Sequence, residues 1–172
     1  MGLTIIRGMK RLFIVRHAKS SWNSPHLSDF DRPLNNRGKT DLPDMASRFL
    51  ETNYQVNLII SSPAERAWTT AKGFAKTLQI ADEYFLDDER FYHASPSTLK
   101  EVISNVDDTI EHLMIFGHNP GLTSLIGNLS DFNLYNLPTC AICGIEFPFE
   151  SWKDILTTKG EKIYYDFPKS RA

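Results

Sequence analysis

Four side chains of this sequence could together bind and transfer a phosphoryl group: Arg16, His17, Arg66 and His118. Two guanidinium groups, each a planar fork of donors, suit the oxygens of a phosphate. An imidazole close to these cations is disfavoured in its protonated form, so it keeps a lone pair for attack on phosphorus. A second imidazole can donate a hydrogen bond as negative charge builds on the phosphoryl oxygens. The residue types therefore predict phosphoryl chemistry, provided that the fold brings them together.

The spacing of these residues indicates that they meet at one edge of a sheet. Apolar runs at residues 12–15, 58–60 and 113–116 each end directly before a polar segment that carries one or two of them. In an open parallel sheet, ligands bind in the crevice outside the carboxyl ends of the strands. Backbone N–H groups at the start of a following helix would add to the attraction for an anion. We therefore expect the two histidines and two arginines to converge on a phosphate.

A metal centre is the competing interpretation of the histidines. His17, His93 and His118 could supply imidazole ligands, but no carboxylate stands at a familiar spacing and two arginines would repel a cation. Cys140 and Cys143 lack partners for a zinc site, and their odd offset in a strand would place them on opposite faces of the sheet. We expect no metal, no cofactor and no disulfide, and two buried cysteines.

Short apolar runs alternate with longer amphipathic stretches, which is the β-α-β-α rhythm of an α/β protein. Residues 144–147 and 162–167 predict a C-terminal hairpin around Trp152. Residues 1–172 are therefore expected to form a single domain, a three-layer sandwich with a mainly parallel central sheet flanked by helices. Strands are predicted at residues 12–15, 58–60, 84–86 and 113–116, and helices near 45–49, 64–78, 95–104 and 122–129.

Three prolines mark expected helix boundaries. Pro96 and Pro120 each follow a residue with a capping side chain, Ser95 and Asn119, and a first-turn proline costs a helix no hydrogen bond. Pro43 lies inside the expected first helix, where it would remove a backbone bond and crowd the preceding turn. We take the first helix to begin at Pro43.

The composition excludes several partners. A chain of 172 residues with 41% hydrophobic and 23% charged residues and a formal charge of −2 has no long-range field for nucleic acid. No apolar run approaches the roughly 18 residues of a membrane span. The apolar residues 1–6 are followed by Arg7 and Lys10 without a small-residue cleavage site, which argues against a secretory signal. We expect a cytoplasmic protein that binds neither nucleic acid nor membrane.

The motifs around these residues resemble those of the histidine phosphatase superfamily. Residues 16–23, Arg-His-Ala-Lys-Ser-Ser-Trp-Asn, resemble its Arg-His-Gly-Glu-Ser-x-Trp-Asn motif, and residues 61–71 are similar to its Ser-Ser-Pro-x-x-Arg-x-x-x-Thr-Ala motif. Residues 31–38 resemble the segment that leads into the family's first helix, and residues 117–120 are similar to its late Gly-His motif. The match runs in the family's order from residue 11 to about residue 130. It implies a phosphoglycerate mutase-like fold.

The resemblance also implies roles for individual residues. His17 would become phosphorylated while Arg16, Arg66 and His118 hold the phosphoryl group, and water would then cleave the phosphoenzyme without a metal. Asn23 matches a position that contacts phosphate in part of the family.

The short chain points to one branch of that family. The mutases and larger phosphatases carry insertions that cap the pocket, for which this chain has little room. Its Asp-Arg-Pro-Leu segment and residues 92–95 resemble the SixA-like phosphohistidine phosphatases. The expected substrate is therefore a phosphorylated protein, for example a histidine phosphotransfer domain. A small phosphate ester is the alternative, and a phosphate-binding module without catalysis is a third interpretation.

Two departures from the family's motifs bear on the substrate. Ala18 and Lys19 replace the usual Gly and Glu; alanine is small enough for the turn, and the lysine either adds to the anion field or is solvated. Glu89 is the candidate general acid, although it stands in an acidic stretch typical of a solvated loop. SixA-like members are thought to lack such an acid. Its absence would favour phosphohistidine, whose imidazole leaving group can be protonated by solvent.

Overall fold

A six-stranded sheet forms the centre of the structure, a computed structural model that describes residues 8–171. The apolar residues 1–6 and Arg7, on which the argument against a secretory signal depends, lie outside the described residues. The strands are β1 (Lys10–Arg16), β2 (Leu58–Ser61), β3 (Phe85–Asp87), β4 (His112–Gly117), β5 (Ile142–Phe147) and β6 (Glu161–Asp166).

The sheet is mainly parallel, as predicted. Its strand order is β3-β2-β4-β1-β5-β6, and the first four strands in that order run parallel to one another. Strand β5 is antiparallel to both β1 and β6, which confirms the C-terminal hairpin. Trp152, in the connection between β5 and β6, is fully buried and its Nε1 donates to the carbonyl of Ile110 at 2.7 Å.

Two layers of helices cover the sheet, which confirms the three-layer sandwich. Strand β1 is apolar along its whole centre because both of its faces are buried: Leu12 and Ile14 belong to one core, and Phe13 and Val15 to the other. The helices are α1 (Asn36–Glu51), α2 (Glu65–Thr77), α3 (Pro96–Ser104) and α4 (Gly121–Leu129). The first core also includes residues of α3 and α4, and the second includes residues of α1 and α2. No helix within residues 8–171 is long and apolar enough to cross a membrane.

Helix α1 begins at Asn36, so the interpretation that it starts at Pro43 is wrong. The Asn35 side chain caps the helix by accepting from the N–H of Gly38 at 2.9 Å. The buried face continues through the proline, with Leu42 before it and Met45 after it. Pro43 itself lies on the exposed face, where the surrounding turns are held by packing on the opposite side.

The two other prolines differ in position. Ser95 caps α3 by accepting from the N–H of Thr98 at 3.2 Å, with Pro96 as the first helical residue, as predicted. Pro120 is the residue before α4 rather than part of its first turn, so that expectation is wrong. The Asn119 side chain instead reaches the N–H of Thr123 at 3.3 Å, which still satisfies a donor at the start of the helix.

Gly38 allows α1 to approach the segment that follows β1. A Cβ at this position would lie 2.2 Å from the carbonyl oxygen of Lys19. The same oxygen accepts from the N–H of Asn35 at 2.9 Å, so the segment cannot move away without losing a hydrogen bond. The beginning of α1 is therefore fixed against the residues next to His17.

We predict that Gly38→Ala lowers the free energy of unfolding by about 1–3 kcal/mol, because the added methyl group must displace backbone. Gly127→Ala is the matched control, since Gly127 is an exposed residue of α4 and a Cβ there meets nothing within 4 Å. That substitution should stabilise the protein by about 0.5–1 kcal/mol. Urea unfolding followed by circular dichroism measures both. Equal effects of the two substitutions would contradict the close approach.

Candidate active site

Backbone hydrogen bonds fix the segment that carries His17. Arg16 is the last residue of β1, and the N–H of His17 donates to the carbonyl of Gly117 at the end of β4, at 3.1 Å. On the other side, the N–H of Cys140 donates to the carbonyls of Arg16 and His17 at 3.0 and 3.1 Å. The ends of neighbouring strands thus hold His17 in place.

One pocket of about 250 Å³ lies at this edge of the sheet and is lined by Arg16, His17, Arg66 and His118. The imidazole rings of His17 and His118 are 5.2 Å apart between centroids. Arg66 reaches the pocket from the first turn of α2, and His118 follows β4 directly. The structure therefore brings together the four residues that the sequence pattern selected.

The His17 ring is held with one nitrogen free. Its Nδ1 lies 2.8 Å from the carbonyl oxygen of Ala18, and because a carbonyl only accepts, Nδ1 carries the proton. The lone pair of the neutral ring is therefore on Nε2. Burial, which is the largest cause, and the charges of Arg66 and Arg16 together lower the pKa of His17 to about 3, against the opposing effect of the Ala18 hydrogen bond. His17 is neutral at physiological pH.

The second histidine is also neutral. Burial, followed by the neighbouring His17 and Arg66, lowers the pKa of His118 to about 3. Its Nε2 is paired with the hydroxyl of the buried Ser62 at 2.8 Å. Neither imidazole therefore adds positive charge to the pocket, and the positive charge comes from the arginines and Lys19.

Buried polar atoms without a partner are concentrated at this pocket. Five buried side-chain nitrogen or oxygen atoms of the described residues have no hydrogen-bond partner, and three of them are Arg16 Nε, Arg66 Nε and His118 Nδ1. An unsatisfied buried donor costs about 1–3 kcal/mol, so such groups usually mark a binding site. An anion with several acceptor oxygens would satisfy these groups.

Sequence reasoning assigned no role to two charged residues of the pocket, Asp29 and Arg32. Arg32 donates from Nη1 to the hydroxyl of Ser20 at 2.8 Å, and its guanidinium lies 3.5 Å from the ring centroid of Trp22. Both residues lie in the long connection between β1 and α1, which leaves the carboxyl edge of the sheet. That position was the one available signal for them. The remaining lining residues are Lys19, Ser20, Trp22, His93, Asn119 and Thr139.

Two residues taken from the family resemblance do not line the pocket. Asn23 is exposed, and its N–H donates to the hydroxyl of Ser21 at 3.1 Å. Glu89 is exposed at the start of a short 3-10 helix, Glu89–Phe91, whose buried residue is Phe91. The candidate general acid is therefore not among the residues that line the pocket with His17.

The cysteines are buried and unpaired, on opposite sides of the sheet. Cys143 lies in β5, whereas Cys140 precedes it with a left-handed backbone, φ 60°. Burial raises the pKa of the Cys143 thiol to about 12. Within residues 8–171, no three His, Cys, Asp or Glu side chains are grouped closely enough to hold a metal ion.

A neutral histidine beside two arginines at the carboxyl edge of the parallel strands is suited to bind a phosphoryl group. The chain belongs to the histidine phosphatase superfamily (branch 1), whose family model matches residues 12–113. The match ends before His118, and it is the fold that adds this residue to the pocket.

The chain is also similar to a curated relative and to solved structures. An uncharacterized chloroplastic protein of Arabidopsis thaliana is 28% identical over 159 residues, which are 88% of this chain and 72% of that protein. A structure assigned as phosphohistidine phosphatase SixA from Agrobacterium tumefaciens is similar with a TM-score of 0.78 and 22% identity, over 92% of this chain and 98% of that one. The structure of the protein histidine phosphatase SixA with tungstate has a TM-score of 0.80 and 18% identity, over 94% and 99% of the two chains. The fold is therefore that of the SixA structures.

We predict that the buried histidines make stability fall in acid. Their folded pKa values lie below the usual 6.5, so the unfolded chain binds protons first as the pH falls from 6.5 towards 3. Each contributes a slope of up to about 1.4 kcal/mol per pH unit in that window. His17→Gln should make the slope shallower by up to that amount in urea unfolding between about pH 6 and pH 4.

The exposed His26 gives the control, because His26→Gln should leave the slope of the wild type unchanged. A slope in His17→Gln equal to that of the wild type would contradict the neutral, buried state of His17.

Proposed function

We propose that this protein is a phosphohistidine phosphatase that removes the phosphoryl group from a histidine side chain of another protein, through a phosphohistidine at His17. The observation that carries the proposal is the His17 ring, whose Nε2 lone pair is free while Arg16, Arg66 and His118 surround it. Membership of the histidine phosphatase superfamily supports a phosphatase activity.

The first step is attack by His17 on phosphorus. The Nε2 lone pair forms an N–P bond while the P–N bond to the substrate imidazole breaks, and the leaving imidazole takes a proton from solvent. Arg16 and Arg66 offset the charge on the equatorial phosphoryl oxygens. Because Nδ1 keeps its proton and its bond to Ala18, the phosphorylated ring is a cation.

The second step is hydrolysis of the phosphoenzyme. Water attacks phosphorus on the face opposite His17, the N–P bond breaks, and its electron pair returns to Nε2. The products are inorganic phosphate and the neutral imidazole with which the cycle began. Neutral imidazole is a good leaving group from a cationic phosphoimidazole, so this step needs no acid from the protein.

The charges in the pocket favour a phosphoramidate over an alkyl phosphate. Asp29 is the sole carboxyl group among the residues that line the pocket. Hydrogen bonds from Tyr92 and Arg66 hold the pKa of Asp29 well below its usual range, which makes it a poor proton donor. An alkoxide leaving group requires such a donor, whereas imidazole does not.

The rim of the pocket supports a protein substrate. The Trp22 side chain lines the pocket and is 74% exposed, and Leu27 and Phe30 of the same connection are also exposed. An exposed aromatic side chain at a small polar pocket, here Trp22, is typical of residues that contact another protein. SixA, whose fold this chain shares, is named a protein histidine phosphatase.

The test uses the purified protein and a histidine phosphotransfer domain that carries phosphohistidine. The wild type should release phosphate from it, and His17→Asn should lose more than about 10³-fold of the rate. His26→Asn, which changes an exposed histidine outside the pocket, should keep the wild-type rate. Full activity in His17→Asn, or rapid hydrolysis of alkyl phosphates with phosphohistidine untouched, would contradict the proposal.

Substitution of Glu89 distinguishes the two candidate substrate classes, phosphohistidine and small phosphate esters. We predict that Glu89→Gln changes the rate on either substrate by less than about 2-fold, since a working general acid contributes about 10²–10⁴-fold. The measurement compares phosphate release from phosphohistidine and from an alkyl phosphate. A loss of about 10²-fold on the alkyl phosphate alone would support the alternative, a phosphatase of small phosphomonoesters.

A further inference from the structure

Asp29 makes an unusual set of contacts for an acidic residue in an anion site. Its backbone carbonyl accepts from Arg66 Nη1 at 2.6 Å, and its Oδ2 accepts from Arg66 Nη2 at 3.1 Å. The same Oδ2 accepts from the hydroxyl of Tyr92 at 2.6 Å, while Oδ1 accepts from Arg32 Nε at 3.1 Å. His93 Nε2 lies 3.8 Å from Oδ2.

These contacts occupy one edge of the Arg66 guanidinium group and leave its other edge available to a ligand. Asp29 occupies the edge formed by Nη1 and Nη2. The second edge, formed by Nε and the remaining hydrogen of Nη2, is the one that can bind two phosphoryl oxygens side by side. Arg66 Nε is buried and has no partner within the described protein.

We propose that Asp29 is a positioning residue that fixes one edge of Arg66 so that the other edge faces the phosphoryl oxygens. The inference rests on the proposed function, because it assigns an orientation to the phosphate-binding arginine. An arginine held in advance loses less side-chain freedom when the phosphate binds. Asp29 therefore acts on the phosphate through Arg66.

Tyr92 and Phe30 hold Asp29 in turn. The Tyr92 hydroxyl is bonded to the carboxylate, and the Tyr92 ring packs edge-on against Phe30, the residue after Asp29, with centroids 5.2 Å apart. The N–H of Glu65, next to Arg66 in α2, donates to the Phe30 carbonyl at 2.9 Å. The connection before α1 is thus hydrogen-bonded to α2 at two neighbouring positions, through Phe30 to Glu65 and through Asp29 to Arg66.

The direction in which phosphate affinity changes in a variant of Asp29 distinguishes a positioning role of this residue from a purely electrostatic one. A carboxylate near the phosphate repels it, so loss of that charge alone would strengthen phosphate binding. Loss of a positioning residue would weaken it. We predict that Asp29→Asn binds inorganic phosphate at least about 10-fold more weakly than the wild type, as measured by calorimetry on the full chain.

Asp31→Asn is the matched control. Asp31 lies two residues away in the same connection, is exposed, and accepts from the Ser28 hydroxyl rather than from a pocket residue. Its substitution should change phosphate affinity by less than about 2-fold. Tyr92→Phe removes one hydrogen bond to Asp29 and should weaken phosphate binding in the same direction as Asp29→Asn, by a smaller factor.

A spectroscopic signal distinguishes positioning from a general loss of structure. The ¹⁵N resonance of Arg66 Nε, identified by its absence in Arg66→Lys, should shift when phosphate is added to the wild type and should broaden in Asp29→Asn. Unchanged or tighter phosphate binding in Asp29→Asn would overturn the inference. Weaker binding with an Arg66 Nε signal that behaves as in the wild type would overturn it as well. A wild type that does not bind phosphate would instead refute the proposed function.

Discussion

The hydrogen bond from His17 Nδ1 to the Ala18 carbonyl is the constraint on which the chemistry of this site depends. It fixes the proton on one nitrogen and leaves the lone pair on the other, and the surrounding structure keeps Ala18 in place. The N–H of Ala18 donates to Thr70 Oγ1 at 3.0 Å, and that hydroxyl donates to the carbonyl of Arg66 at 2.7 Å. The proposed nucleophile, His17, and the proposed phosphate-binding residue, Arg66, are therefore joined through one short chain of hydrogen bonds.

Burial and charge act together on this pocket. Both lower the pKa of His17 and of His118, so two imidazoles stay neutral beside the guanidinium groups. The buried Nε donors of Arg16 and Arg66 lack partners within the described protein, a cost that a phosphoryl group would remove. In its proposed role, Asp29 orders one of these guanidinium groups, and its charge limits the total positive charge. The proposed site combines a neutral nucleophile with cationic phosphate-binding groups, and these two features would oppose each other without a fixed geometry.

The sequence predicted the parts of this site that depend on strand ends. Arg16 ends a buried strand, and His17 and His118 directly follow buried strands. A parallel sheet brings such positions to one edge, independently of the loops. Residues placed by loops were harder to predict: Asp29 was not foreseen, and Glu89 is exposed and does not line the pocket. Pro43 was misleading for a similar reason, since packing of Leu42 and Met45 outweighs the local cost of a proline. Local sequence patterns determine the helices and strands, whereas long-range contacts determine where the loops between them lie.

The most direct test of this account is the position of the phosphoryl group on the trapped phosphoenzyme. Protein quenched during turnover of a phosphohistidine substrate can be digested at alkaline pH and mapped by mass spectrometry, with ³¹P NMR to distinguish the two ring nitrogens. We expect one phosphoryl group on Nε2 of His17, because Nδ1 is occupied by the hydrogen bond to Ala18. A phosphoryl group on Nδ1, on His118, or on no residue during turnover would contradict the account.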